Sequence, residues 1–257
     1  MLQQRIGILG AIPQEINGFL TLLQEVTETS IGGRIYYQGM LGNQSVVVVY
    51  SRIGKVAAAA TVTTLLLEFG VTEIIFIGVA GAIHPNVKVG DVVIASELMQ
   101  YDMDASPLRP KYEIPLLEKS YFETDSIRTQ KAMEKVNQVI NSTNITTLIS
   151  LQELQKFDIS APTVHLGTIA SGDQFFSTNK QKEQIQRALP HVLCVEMEGA
   201  AIAQVCYEFD IPFIVIRTIS DNANQEATFS FQAFIEQISL VYGKEIITRL
   251  LGNNTLY

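Results

Sequence analysis

The sequence predicts an α/β protein with a mostly parallel or mixed sheet and helices on both of its sides. Three observations lead there. Strand-like and helix-like runs alternate along most of the chain, the pattern of a sheet covered by helices. Two strand-like runs, Glu73 to Val79 and Asp91 to Ser96, are nearly all apolar, as strands covered on both faces must be. Hydrophobic residues make up 47% of the 257 positions, enough for one large core.

The elements follow in order. Arg5 to Ile12 is a short β-rich run, and Ile16, Phe19, Leu20 and Leu23 then recur at helical spacing. Arg34 to Met40 and Ser45 to Tyr50 read as paired strands around the turn Leu41-Gly42-Asn43-Gln44. Val56 to Phe69 is rich in Ala, Leu and Thr and reads as a helix, with Gly70 as its stop. After the two apolar strands, residues 105 to 124 hold three prolines and read as a structured loop. Asp125 to Asn141 reads as an exposed helix, and residues 142 to 163 as an insertion. Val164 to Ala170 is a strand, Asn179 to Ala188 a helix, and Val192 to Met197 a strand running into the helix Gly199 to Glu208. Phe213 to Ile219 is a buried strand, and Phe231 to Leu251 a long terminal helix. With no repeat and no linker rich enough to divide it, the chain reads as a single domain over 1–257 with an insertion at about 142–163.

Composition excludes several classes. A net charge of −8 argues against a nucleic-acid surface. No apolar run reaches membrane-span length and no Lys/Arg block suggests a membrane patch. The N-terminus enters a strand without signal-peptide anatomy. Cys194 and Cys206 lie in apolar surroundings and read as buried thiols. A cytoplasmic location is expected. No His/Cys cluster has metal-ligand spacing, so no metal or cofactor is expected.

The run VLCVEMEGAAIAQVC (192–206) sets two carboxylates, Glu196 and Glu198, in apolar company, where a charge is costly unless paired or used. Glu198 falls where strand meets helix, and in α/β folds ligands bind beyond the carboxyl ends of strands. Taken singly, it could be a helix-start acid favoured by the dipole. The pattern recurs, however, with Glu15 in GILGAIPQEI and Asp221 in FIVIRTISDNA, the latter beside Ser220 and Arg217. Glycines flank the same places, at Gly7, Gly10, Gly78, Gly81 and Gly172, and glycine lets backbone approach a ligand closely. Neither the dinucleotide fingerprint nor the phosphate loop occurs. The three histidines show no nucleophile–base pattern. Acid–base chemistry therefore falls to the carboxylates. Phe175, Phe176, Phe229 and Phe231 stand near these acids, where aromatics can hold a flat heterocycle or simply pack.

GILGAIPQEI, SRIGKVAAA, GVAGA, VKVGDVV, SGDQF, VEMEGAAIA and RTISDNA occur in this order. Together they resemble the bacterial 5′-methylthioadenosine/S-adenosylhomocysteine nucleosidases of the nucleoside phosphorylase superfamily, from about Arg5 to the terminal helix. The resemblance implies a three-layer nucleoside phosphorylase-like fold, a central mixed twisted β-sheet flanked by helices. It implies hydrolysis of the N-ribosidic bond of 5′-methylthioadenosine and S-adenosylhomocysteine, releasing adenine. Some relatives also cleave 6-amino-6-deoxyfutalosine in menaquinone synthesis, and 5′-deoxyadenosine is a further candidate.

The resemblance assigns Glu15 to activating water and Asp221 to protonating the purine N7, with Ser220 and Arg217 in support. Glu198 would hold the ribose hydroxyls, with Met197 on the sugar. Phe175 would stack on the purine and backbone near Phe176 would read its edge. Ile53 would line the 5′ region, and Phe231 would reach a neighbouring subunit's ligand, implying a homodimer. The apolar residues Ile53, Phe231 and Ile114 are expected around the 5′ substituent. Val79 stands where many members have Ser, and Tyr101-Asp102-Met103-Asp104 replaces a His-Asp-x-Asp segment. Two other readings stay open: a phosphate-dependent purine nucleoside phosphorylase, for which Arg52 and Arg217 are the available anion ligands, and a non-catalytic nucleoside-binding protein. A phosphorylase binds an anion and usually uses an Arg for it, whereas Glu15 would repel phosphate.

Overall fold

The computed structural model describes residues 4–140, 145–224 and 226–252. The chain opens with β1 (Arg5–Gly10), α1 (Pro13–Leu20), β2 (Gln24–Ile31), β3 (Arg34–Leu41), β4 (Gln44–Tyr50) and α2 (Lys55–Phe69). Next come β5 (Glu73–Ala82), β6 (Val92–Gln100), β7 (Phe122–Glu123), α3 (Ser126–Ile140), α4 (Ile145–Leu148) and α5 (Leu151–Lys156). The last third holds β8 (Val164–Ser171), α6 (Asn179–Ala188), β9 (Val192–Glu196), α7 (Gly199–Glu208) and β10 (Phe213–Asp221). Helices α8 (Ala227–Phe234) and α9 (Leu240–Leu251) follow, joined by a π-helical stretch, Ile235–Ser239. No helix among the described residues is long and apolar enough to cross a membrane.

All the strands belong to one mixed sheet. Strand β5 is its centre, parallel to β1 and to β10 and antiparallel to the end of β9. Strand β10 pairs antiparallel with β6, β6 parallel with β8, and β8 parallel with β9. These five strands therefore close a ring through β5, while β1, β4, β3 and β2 extend from it as an open wing. The ring brings the carboxyl ends of β5, β9 and β10 together.

Strand periodicity explains the layers. Ile75, Ile77 and Val79 point to a core shared with α1, α3 and α9. Ile74, Phe76 and Ala80 point to a second core under α2 and α7. Both faces of β5 are thus covered, and every one of its residues is buried, as its unbroken apolar run requires. Gly70 ends α2 in the left-handed conformation at φ 60°, which costs glycine little.

Several elements differ from the sequence expectation. Strand β2 carried no signal, because its residues QEVTETSI are almost all exposed. It is an edge strand, paired to β3 alone, and its Glu25 and Glu28 suit an unpaired edge. Helix α3 is amphipathic rather than simply exposed: Thr129, Ala132, Val136, Val139 and Ile140 are buried. The terminal helix begins at Ala227 and contains the π-stretch. Within 142–163, residues 142–144 lie outside the described residues. The remainder is docked: Ile149, Leu154 and Ile159 join the main core, and Ser150 caps α5 by accepting from Glu153 N at 3.2 Å.

That docking converges on Asp91 at the start of β6. Its carboxylate accepts from Lys88 N at 3.0 Å, Thr163 N at 2.8 Å and His165 Nε2 at 2.8 Å. Burial alone would raise its pKa, but these donors outweigh burial and hold it below the usual carboxylate range. Asp91→Ala strands buried donors, so we expect a loss of about 2–4 kcal/mol in denaturant unfolding at neutral pH. The wild-type advantage should shrink as pH falls through the carboxylate range, because a depressed folded pKa stabilises only above the unfolded one. A loss under about 0.5 kcal/mol, the size of an ordinary surface change, would contradict this.

Candidate active site

A cavity of about 310 Å³ opens where β1, β5, β9 and β10 end. Ile12, Glu15, Ile53, Val79, Phe175, Phe176, Met197, Glu198, Ser220, Asp221 and Phe231 line it, together with Gln174, Val195, Glu196 and several Ala and Gly residues. Ten of the eleven residues named from the sequence therefore meet at one place; Arg217 does not line the cavity.

Glu15 enters from the first turn of α1, which Pro13 starts. It is 5% exposed. Its Oε2 accepts from Ala11 N at 2.5 Å and Ile12 N at 3.1 Å, and Oε1 accepts from Val79 N at 3.0 Å. Burial raises its pKa, while the charge of Arg217 and the three N–H groups pull downward. Val79 thus contributes its backbone N–H here while its side chain joins the core.

Beneath Glu15 lies a buried ion pair. Arg217 Nη2 meets Glu196 Oε2 at 2.7 Å, and its guanidinium lies 3.7 Å from the centre of the Phe76 ring. Glu196 also accepts from Glu198 N at 3.1 Å, from Gly199 N at 2.8 Å and from the Ser171 hydroxyl. Ser171 Oγ in turn accepts from Ala200 N at 2.7 Å. This network fastens the N-terminus of α7 to β8 and β10. It corrects the expectation that Arg217 supports Asp221: its partner is Glu196.

Glu198 is the residue just before α7. Its Oε1 accepts from Gly54 N at 2.8 Å, tying it to the start of α2. Its pKa is pushed up to about 8, first by burial and then by the neighbouring charge of Glu196, with Arg217 and Gly54 N–H opposing. Asp221, on the far wall, accepts from Ala223 N at 2.8 Å and from the Ser220 hydroxyl at 2.8 Å. Burial raises its pKa against those donors and the charge of Lys182.

Glycines make room for these acids rather than for a ligand alone. A Cβ on Gly78 would lie 2.5 Å from Glu15 Oε1 and 2.6 Å from Arg217 Nη1; one on Gly81 would lie 2.9 Å from Asp221 Oδ1. Phe175 packs edge-on to Phe231, centroids 5.5 Å apart, and Phe176 packs edge-on to Tyr101. Phe231 therefore lines the cavity of its own chain, which corrects its expected reach into a neighbour. Ile114 does not line the cavity of its own chain: it is buried in the same core cluster as Phe122.

Sequence reasoning missed the Glu196–Arg217 pair, although the signal was present. Each charge interrupts a fully apolar strand, VLCVE and FIVIR, and opposite charges so placed must find each other. It also missed Lys182, whose Nζ donates to Asn222 O at 2.7 Å beside Asp221. Nothing in the polar helix α6 marks it. As built, the cavity can hold a flat apolar body, accept hydrogen bonds from hydroxyls at Glu198 and exchange a proton at Asp221.

The sequence profile of the Phosphorylase superfamily matches residues 5–251. A 5′-methylthioadenosine/S-adenosylhomocysteine nucleosidase of Staphylococcus aureus is 35% identical over 91% of this chain and 94% of its own length. The solved futalosine hydrolase of Helicobacter pylori superposes with a TM-score of 0.81 at 35% identity, covering 96% of this chain and 97% of that one. The Helicobacter pylori 5′-methylthioadenosine/S-adenosylhomocysteine nucleosidase with butyl-thio-DADMe-Immucillin-A gives a TM-score of 0.81 at 33% identity, covering 97% and 98%. The chain belongs to the phosphorylase superfamily and, within it, to the family of the 5′-methylthioadenosine/S-adenosylhomocysteine nucleosidases.

Proposed function

We propose that this protein hydrolyses the N-ribosidic bond of adenosine derivatives substituted at the 5′ position, 5′-methylthioadenosine and S-adenosylhomocysteine first among them, and releases adenine. The observation that carries the reading is one cavity walled by apolar groups and four buried carboxylates, with no Lys or Arg among the described residues that line it.

The chemistry needs that arrangement. Breaking the bond builds positive charge on the sugar and negative charge on the leaving base. An acid at the base neutralises the second, and carboxylates near the sugar stabilise the first. Asp221 is the acid in this reading: burial favours its protonated form, and Ser220 and Ala223 N–H fix its orientation. Glu198 accepts from ribose hydroxyls while Met197 covers the sugar. Glu15 takes the water's proton. Its Oε2 already accepts two N–H groups and Oε1 only one, so Oε1 keeps the lone pair that a water can use. Phe175 and Phe176 enclose the base, and Ile53 and Phe231 the 5′ group.

The absence of a lining cation favours water over phosphate. Arg217 is committed to Glu196, and Arg52 lies outside the cavity. A non-catalytic binder would need neither a water base nor a buried acid. Two finer readings belong here. The exposed apolar side chains Val56, Leu108, Leu116 and Phe229 support a homodimer that covers part of them. The unpaired, buried Cys194 and Cys206 support a reducing, cytoplasmic location.

Adenine release from 5′-methylthioadenosine should proceed in phosphate-free buffer and yield the free 5-substituted ribose. A phosphate requirement, or a ribose 1-phosphate product, would reject hydrolysis. Asp221→Asn keeps the shape and loses the proton, so kcat should fall about a hundredfold or more, with KM much less affected. Near-normal turnover of the purified variant would remove Asp221 from the acid role.

A further inference from the structure

Outside the cavity, past Ile53 and Met197, runs an open groove lined also by Arg34, Arg52, Lys55 and Asp173. Ile53 and Met197 line both spaces, so the groove continues the 5′ side of the cavity. Three cations face one carboxylate there, in a chain whose net charge is −8. Two of the cations are committed. Lys55 Nζ pairs with Asp102 at 2.6 Å, and Lys55 N donates to Asp173 at 2.9 Å. Arg34 donates to the carbonyls of Ser51, Gly32 and Ala57 at 3.1–3.4 Å.

Arg52 is different. Its Nη2 donates to Gly33 O at 2.6 Å, and its other N–H groups have no hydrogen-bond partner among the described residues. Its backbone sits at φ 70°, where glycine would cost little and an arginine is strained. The turn alone does not call for a guanidinium at this place.

We infer that Arg52 forms a subsite for a carboxylate carried at the far end of a 5′ substituent. The inference rests on the proposed seating of the nucleoside, with its 5′ group toward Ile53. A nucleoside in the cavity then sends a tail of a few bonds over Ile53, and the guanidinium meets the carboxylate with paired N–H donors.

The test compares 5′-carboxyethylthio-5′-deoxyadenosine with its carboxamide, equal in length and differing in charge, with 5′-methylthioadenosine as the tail-less reference. In wild type at low ionic strength, kcat/KM for the acid should exceed that for the amide by roughly five- to twentyfold, between an exposed ion pair and a charge-assisted hydrogen bond. Added salt should shrink the ratio. In Arg52→Gly, which suits the local backbone, the ratio should fall to within about twofold, below the worth of a single exposed ion pair. A wild-type ratio near one, or a ratio that survives Arg52→Gly, overturns the subsite while hydrolysis of 5′-methylthioadenosine still stands. Failure of wild type to release adenine from any of the three overturns both readings.

Discussion

The site depends on one buried cation. Among the described residues Arg217 is the only Lys or Arg that is fully buried, and its charge acts on three carboxylates: Glu196, Glu15 and Glu198. The guanidinium pairs directly with the first, lies over the Phe76 ring, and reaches the other two through space. At low dielectric that attraction is what allows acids to sit beside an apolar cavity at all. The compensation is incomplete. Glu196 takes the contact and the N–H groups of α7, Glu15 takes three N–H groups of its own, and Glu198 is left with Gly54 N–H and two like-charged neighbours.

The fold is arranged around that pair. Glu15 and Arg217 both reach over β5 at Gly78, where a Cβ would meet each of them, so only a residue without one fits there. β9 must cross the end of β5 in the opposite sense to deliver Glu196, which is why the sheet closes into a ring rather than remaining open. Ser171 at the end of β8 links Glu196 to the first turn of α7, so strand ends, helix start and ion pair form one unit. Substrate-facing acids are then held by backbone rather than by each other, a rigid support for chemistry.

Much of this was legible in the sequence. Apolar runs located the buried strands β5, β6, β9 and β10, and acids at strand ends located Glu15, Glu198 and Asp221. What escaped was whatever depends on the third dimension. The edge strand β2 has no buried face to write a period into its residues. Lys182 comes from an unremarkable polar helix. Glycines that read as room for a ligand accommodate carboxylates at Gly78 and Gly81. Arg217 and Asp221 stand four residues apart, a spacing that strand alternation would put on one face, but the register shifts between Ile219 and Asp221, and the partner of Arg217 comes from β9. Likeness points Phe231 toward a second subunit, whereas α8 folds it onto Phe175 of the same chain.

The central claim is that a single guanidinium leaves Glu198 under-compensated, so that the site works against the fold when Glu198 ionises. Its folded pKa of about 8 stands above an ordinary value of 4.5. A raised pKa favours folding fully below the unfolded value, and that contribution is lost as pH rises through about 8. Glu198→Gln imitates the protonated form at every pH. The decisive measurement is the unfolding free energy of wild type and Glu198→Gln at about pH 5 and about pH 9, on either side of that titration. The two proteins should be close in stability at the lower pH, and the variant should be the more stable at the higher. Parallel stabilities, or a variant weaker at both values, would contradict the account.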